Sequence, residues 1–587
     1  MKKTFTLLFA NAILVGLLSG CSSPNAIVAG TAISIGELGS ISNLNTDLAS
    51  DSVGNALNAE LANLTTASFY VADASGQLVA NESFGTVKLV SKTPFTVEYT
   101  VAASAKWSDG QAVDASDLLL SWVAASDNTK AGFHSSRSSG GLNQSTGLPK
   151  VASDQKSIRV TYDSAVADWK TALTVPVAAH LVGQVAFKSE NLDSTAAKAR
   201  VMKAIQTSSA DDIQNLASAY RSAFKISAST PDRAQVSAGA YRFERSLGTT
   251  GIQLRANPSF TWGATPKVET ALIKTYFDSA AQLEALSSGD IDIASPSENA
   301  TFKNLDIANA LAAMKSNGVD YKIVSSSAIE QIVLNFGEKS FFSPNNFNGD
   351  TLKPTALKDA FLKMVPRSKI LAAASSELSV RQADSFIFPS TSNYYTAVTQ
   401  ANGSAAFRFQ EAELAREIVR DTKPKDGRYS VRVLFDSSNP QAQIEFGLLD
   451  ERASIVGFKL ENISTSDLAP LLKSGEYDVL ITDAPLLGLE DAGSSNLLSS
   501  NATGVVDKVT LGLFSSAVAQ SDAFKQAEIF QKLDTALFST HFGLPLYQVP
   551  SIVAYNTRIS GFTPAPFGRS ATWGYWNWSV AAPDSSK

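Results

Sequence analysis

The chain has 587 residues, a formal net charge of −6, 44% hydrophobic residues and 18% charged residues. That length exceeds what one hydrophobic core organises, so two or more domains are expected. The small negative charge, with no cluster of Lys and Arg, argues against a nucleic-acid binder.

The N-terminus opens with Lys2 and Lys3, continues through the apolar stretch Phe5 to Leu18, and closes on Leu18-Ser19-Gly20-Cys21. The apolar stretch is shorter than the ~20 residues that span a bilayer, so it reads as a secretory signal over residues 1–20. No later apolar run approaches spanning length. Cys21 is the only cysteine and has no internal disulfide partner. Leu-Ser-Gly-Cys resembles the bacterial lipobox, which implies lipidation at Cys21 and a chain tethered outside a bacterial membrane. Residues 21–29 then form a short tether.

Ala32-Ile33-Ser34-Ile35 alternates like a first strand, with a loop from Gly36 to Asn45. Thr96 to Val101 is a cleaner period-two strand. Trp107-Ser108-Asp109-Gly110 makes a turn, Asp114 caps the next helix, and Asp117 suits its first turn. Ala115, Leu118, Leu119 and Trp122 predict one buried helix face. Lys130 to Lys150 reads as a long Gly/Ser-rich loop, Ile158 to Tyr162 as a strand, and the stretch to Tyr220 as mixed helix. Ala238 to Phe243 is a turn into a strand, Ile252 to Arg255 a second strand, and Asn257 to Phe260 a turn. Leu283 to Ile293 and Leu471 to Leu480 share one grammar of helix end, glycine stop and strand, with Gly289 and Gly475 as left-handed terminators. Helix-to-strand units in both halves favour α/β lobes.

Several runs resemble the family 5 extracellular solute-binding proteins, the oligopeptide-, dipeptide- and nickel-binding receptors of ABC importers. Trp107 to Leu118 resembles W-S-D-G-x-P-h-T-A-x-D-h, with Ala112 where proline is usual. Val236 to Tyr241 resembles V-G-T-G-P-Y, Arg255 to Gly263 resembles R-N-P-x-Y-W-G, and Leu286 to Ile293 resembles L-Q-S-G-E-I-D-I. Leu334-Asn335 and Leu544 to Gln548 resemble the entry to the second lobe and the P-L-Y-Q element. The resemblance implies an α/β, two-lobed periplasmic-binding-protein-like (Venus-flytrap) fold of the large type. Lobe 1 would cover residues 30–320, with an extra subdomain inserted at about 70–175. Lobe 2 would cover 321–544, and 545–587 would return to lobe 1. Tyr321 to Val324 and Pro545 to Gln548 would be the crossing strands, and Trp107 would serve packing.

Peptide-type members hold the ligand's amino terminus with an aspartate soon after a tryptophan. Here Tyr477 to Leu486 offers Asp483 without that tryptophan. Asp483 therefore reads either as a partner for a cationic group or as a solvated loop residue. Loop position adds Ser40, Leu44, Phe133, His134, Asn335, Phe336, Asp436 and Asn439 as candidate ligand contacts. The three histidines, His134, His180 and His541, lack ligand spacing, so no metal or cofactor is expected. Ser153-Asp154-Gln155-Lys156 matches Ser-x-x-Lys but does not open a helix, and other nucleophile and phosphate-loop motifs are missing, so no catalysis is expected. The expectation is a monomeric, lipid-anchored receptor on the extracytoplasmic face that hands a peptide or similar solute to ABC permease subunits. The alternative is a surface adhesin or signalling receptor that keeps the binding fold.

Overall fold

The computed structural model describes residues 27–50, 52–74, 78–126, 131–136, 141–166, 168–227, 236–296, 301–375, 380–408, 411–422, 427–486, 508–568 and 570–581. The signal segment, Cys21 and most of its tether lie outside the described residues. Among the described residues no helix is long and apolar enough to cross a membrane.

One ten-stranded sheet runs through the molecule. Its order is Phe458–Asn462, Tyr429–Leu434, Val479–Pro485, Val319–Leu334, Gly543–Asn556, Ile293–Ala294, Val28–Leu38, Val268–Tyr276, Gly251–Ala256 and Tyr241–Ser246. The first strand reaches Leu38, three residues beyond the alternating run in the sequence, because it stays paired in parallel with Val268–Tyr276. A separate four-stranded sheet joins Gly85–Lys92, Phe95–Val101, Ser157–Tyr162 and Lys150–Val151. Phe95–Val101 alternates buried and half-buried along its length, as a strand with one covered face must.

The apolar side chains collect on two sides of the two longest strands. One core runs from Ile33 to Ile293 and includes Val553, Ile559 and Trp578. The other runs from Ile329 to Val549. Val319–Leu334 and Gly543–Asn556 pair antiparallel from Val319 opposite Asn556 to Val333 opposite Gly543, and so pass from one side to the other. Their register slips between Ser325 and Ile329 and again between Glu330 and Gln331. Irregular pairing therefore falls where the strand Val319–Leu334 leaves a smaller cluster around Val319, Ile552 and Ala554 for the second core.

The helix Ala115–Ser126 corrects the expectation of a single buried face. It is buried on every side from Ala115 to Ala125, because the strand Ser157–Tyr162 and the helix Ser194–Thr207 both pack on it. Its start is a reciprocal cap: Asp114 Oδ1 accepts from the Ser116 N–H at 2.9 Å, and Asp117 Oδ2 accepts from the Asp114 N–H at 3.0 Å. Such a cap contributes about 1 kcal/mol. Both glycine stops have left-handed backbones, with φ of 77° at Gly289 and 68° at Gly475.

Three motifs that are distant in sequence interlock in space. The Ser108 N–H donates to the Ser237 carbonyl at 2.9 Å, and Ser237 Oγ donates to the Thr65 carbonyl at 2.7 Å. Asn257 Nδ2 donates to the Gly239 carbonyl at 3.0 Å, and Trp262 Nε1 to the Ala238 carbonyl at 2.9 Å. A Cβ at Gly239 would lie 2.4 Å from the Leu64 carbonyl oxygen, so this close approach requires glycine. Trp107 is 1% exposed and packs in the same core.

Candidate functional site

The end of the helix Ser52–Thr65 forms one wall of a chamber of 1510 Å³. Asn55, Asn58, Ala59, Ala62, Asn63 and Thr66 all line it. Their spacing of three, one, three, one and three residues is that of a single helical face. A second wall comes from the C-terminal segment through Trp573, Tyr575, Trp576 and Asn577, and a third from Phe260, Trp262 and Gly263 of the interlocked turn. Tyr70, Asn81, Asp168 and Thr174 contribute from the stretch around the small sheet. Ser515 and Ala519 close the chamber from the other side. Ser515 lies within the helix Lys508–Val518 and Ala519 just after it, and the Phe514 and Ala517 of this helix belong to the second core. A helix anchored in the second core therefore meets the walls built on the first.

A buried carboxylate joins the first two walls. Glu60 accepts from the backbone N–H groups of Ala571 at 3.0 Å and Thr572 at 2.9 Å, and from Ser570 Oγ at 2.8 Å and Thr572 Oγ1 at 2.7 Å. Asn63 Nδ2 adds a bond to Ser570 Oγ at 2.8 Å. Burial pushes the Glu60 carboxyl above its ordinary value, while the Thr572 and Ser570 bonds pull the other way. Glu37 is pushed well up as well, first by burial and then by the charge of Glu60.

A smaller cavity of 340 Å³ lies behind the helix, lined by Ser40, Asn43, Asn58, His134, Arg221 and Lys225 among others. It brings together two residues nominated from the sequence, Ser40 and His134. The remaining candidates line neither cavity. Leu44 packs on the first core. Phe133 is fully buried, edge-to-face with Tyr220 at 5.5 Å. Asn335 is spent on backbone, donating to Gly475 and Tyr477 carbonyls and accepting from the Gly337 N–H. Phe336 stacks on Phe542, and the Lys358 ammonium sits 4.0 Å from its ring centroid. Asp436 ties its own turn through Ser438, and Asn439 caps the helix Pro440–Val456.

Asp483 is half-buried and not in a loop. It lies within the strand Val479–Pro485, opposite Glu330, and burial raises its pKa. His180 Nε2 pairs with Asp109 Oδ2 at 2.9 Å, and His541 Nε2 lies 3.3 Å from Asp359 Oδ1, so the two rings are far apart in role and place. Among the described residues no three His, Cys, Asp or Glu side chains converge as metal ligands.

The sequence did carry a signal for the chamber. The amide stripe Asn55, Asn58, Asn63 and the aromatic run Thr572-Trp573-Gly574-Tyr575-Trp576-Asn577-Trp578 are both visible in it. Their meeting depends on Glu60, which no local pattern reveals.

The profile of the bacterial extracellular solute-binding proteins, family 5, matches residues 87–503. The chain is 22% identical over 534 residues to an uncharacterised lipoprotein of Mycobacterium tuberculosis, covering 86% of each. Its fold is similar to that of a periplasmic EDTA-binding protein, EppA, with a TM-score of 0.71 and 20% identity over 95% of this chain and 97% of the other. It is also similar to AppA from Bacillus subtilis, solved with a nonapeptide, with a TM-score of 0.58 and 14% identity over 94% and 99% of the two chains. NikZ from Campylobacter jejuni, solved with Ni(L-His), has a TM-score of 0.61 and 14% identity over 94% of this chain and all (100%) of the other.

Proposed function

The chain belongs to the bacterial extracellular solute-binding proteins of family 5, and on that premise we propose that it is the lipid-anchored receptor of an ABC importer. It captures a peptide or similar extended solute between its lobes and presents it to permease subunits. The observation that carries this reading is the chamber of 1510 Å³, lined mainly from the side of the first core and reached by Ser515 and Ala519 from a helix that packs on the second. A space of that size suits an oligomeric solute better than a single small metabolite.

Residues 30–320 and 545–587 make the first lobe in this reading, and 321–544 the second. The slipped register between Ser325 and Ile329 is the hinge. Gln548 Nε2 donates to the Ser326 carbonyl at 2.7 Å, and the Leu486 N–H to the Ser327 carbonyl at 2.9 Å. These bonds hold the hinge strand from both neighbours while leaving Ser326 and Ser327 outside the regular ladder. Solute bound on one lobe gains contacts from the other only on closure, and that extra affinity is what drives the motion. No catalytic step is part of the proposal. The mycobacterial relative's designation as a lipoprotein supports the anchoring reading, as does the Leu-Ser-Gly-Cys21 sequence.

A thermal-shift screen over peptides, sugars and metal chelates identifies the solute, since binding to the native state raises the melting temperature. Small-angle scattering then tests closure. A smaller radius of gyration at saturating ligand is expected, and an unchanged radius with ligand bound counts against the capture mechanism.

A further inference from the structure

We infer that the smaller cavity, behind the helix Ser52–Thr65, is a binding site for a small, multiply charged oxyanion of the phosphate or dicarboxylate class. The inference goes beyond the capture function proposed above and holds whatever solute the large chamber takes.

Three segments distant in sequence build this cavity. The loop of residues 40–50 is zipped onto the end of the helix Ala210–Ser222 and the turn after it. The Leu44 N–H donates to the Phe224 carbonyl at 3.0 Å, the Ile226 N–H to the Ser42 carbonyl at 2.9 Å, and Asn43 Nδ2 to the Arg221 carbonyl at 2.7 Å. Residues 131–136 join the same loop, where the Ala49 N–H donates to the His134 carbonyl at 2.7 Å. These bonds bring Arg221, Lys225 and His134 to one space of 340 Å³. A Cβ on Gly132 would sit 3.1 Å from Arg221 Nη1 and 3.8 Å from His134 Nε2, so the two side chains converge beside a residue that leaves them room.

The charge on this wall has one sign. No Asp or Glu is among its described lining residues. Asp47, the carboxylate of the same loop, lines the large chamber and accepts from Tyr220 Oη at 2.6 Å. Among the described residues the side chains of Arg221 and Lys225 make no hydrogen bond or ion pair, and the hydroxyls of Ser40 and Ser42 make no hydrogen bond. Arg221 is nevertheless half-buried. An arginine in the last turn of a helix complements the helix dipole. That accounts for Arg221 alone, and not for Lys225 beyond the helix or for His134 on another segment at the same cavity.

A guanidinium presents a planar fork of donors that matches the oxygens of a carboxylate or phosphate. The Lys225 ammonium adds three donors and each serine hydroxyl adds one. A half-buried guanidinium has given up part of its water without gaining an acceptor, and an oxyanion supplies that acceptor. A cation would meet two fixed positive charges with no carboxylate to offset them. A neutral polyol would take hydrogen bonds and leave the charge unanswered. The cavity lies near the lower end of the size range of small-molecule sites, which suits a small anion and not an extended chain.

Calorimetric titration of the full chain at low ionic strength with inorganic phosphate, succinate and glycerol tests this. At least one of the two anions is expected to bind, with affinity falling as salt is added, and glycerol is expected not to bind. Arg221→Gln is expected to weaken anion binding about tenfold, the effect of losing a hydrogen bond to a charged group. Arg221→Lys keeps the charge without the fork and is expected to recover about threefold of that loss. Lys225→Gln is expected to weaken binding about threefold; Lys225 is exposed, so this variant tests the site even where a change at Arg221 disturbs folding. Failure of both anions to bind overturns the inference. Glycerol binding as tightly as the anions overturns it, and so does an anion affinity unchanged in both Arg221→Gln and Lys225→Gln. Lobe closure by the chamber's solute is read separately by scattering, so either proposal can fail without the other.

Discussion

Trp169 donates its indole Nε1–H to the backbone oxygen of Ser521 across 3.3 Å, and the bond joins the first core to a segment that packs on the second. Trp169 packs in the first core, while Ser521 lies between the helices Lys508–Val518 and Ala523–Ser539 of the second. Trp169→Phe keeps a ring in that pocket but removes the donor. One hydrogen bond is worth about 1 kcal/mol net, or about fivefold in the balance of open and closed forms. Dissociation of the bound solute, followed by stopped-flow fluorescence, is expected to accelerate about fivefold. Equal dissociation rates in the two proteins would show that this bond does not hold the lobes together.

A second cluster sits beside the hinge. Glu330 on the crossing strand faces Asp483 across the sheet and lies in the field of Glu445. Tyr547 Oη and Gln441 Nε2 donate to Glu445 Oε1 at 2.9 and 3.0 Å, but among the described residues its Oε2 has no partner. Burial pushes Glu445 from 4.5 up to about 7, and pushes Glu330 well above its ordinary value. Asp534 is raised to about 6 by the same cause. A carboxyl raised on folding binds its proton more tightly in the folded state. Its stabilisation is therefore complete below the unfolded value and is lost as pH climbs through the folded one. The melting temperature is expected to fall between about pH 5 and pH 7.5, with each tenfold difference in proton affinity worth about 1.4 kcal/mol. Glu445→Gln should match the wild type near pH 5 and melt higher at pH 8. Parallel curves for the two proteins would sink this account.

Most of the framework was legible because it rests on local chemistry. The period-two strand at Thr96, the Asp114 cap and the stops at Gly289 and Gly475 each follow from a few neighbouring residues. The helix Ala115–Ser126 shows the limit of that logic. Its sequence marks one apolar face, yet Ser116 and Asp117 are buried too, because Asp117 Oδ1 accepts from the Ala179 N–H at 2.8 Å and Lys198 reaches Asp114 from another helix. The chamber was illegible for the same reason on a larger scale. Its walls lie about 500 residues apart in the chain and meet through Glu60, and Asn335, a polar residue beside a crossing strand, proved to be spent on backbone carbonyls instead of a ligand.

Glu60 itself gives a sharp test of how the binding wall is held. Glu60→Ala would leave the Ala571 N–H buried without an acceptor and the Thr572 N–H with only its 3.1 Å bond to Ser570 Oγ. One such orphaned donor costs roughly 1–3 kcal/mol. The urea midpoint is expected to drop accordingly. Solute affinity should fall further than stability alone explains, because the segment carrying Trp573 and Trp576 loses the tether that holds it to the helix carrying Asn58 and Asn63. An unchanged midpoint would mean that the carboxylate is not what joins the walls.

Lipid at Cys21 would set where all of this operates. Cys21 is the only thiol in the chain, and five residues separate it from Ile27, where the described fold begins. An extended chain of that length reaches at most about 20 Å, so an anchored receptor would be held close to the membrane surface and its permease. A single acyl chain gives only marginal attachment, and the diacylglyceryl group that the lipobox resemblance implies supplies the second chain that stable anchoring requires. Cys21→Ala is expected to abolish incorporation of labelled palmitate, and either to move the protein to the soluble fraction or to leave its signal segment uncleaved. The chamber is untouched by this change, so solute affinity of the purified variant should equal that of the wild type. Palmitate labelling that persists in the variant would rule out Cys21 as the attachment point.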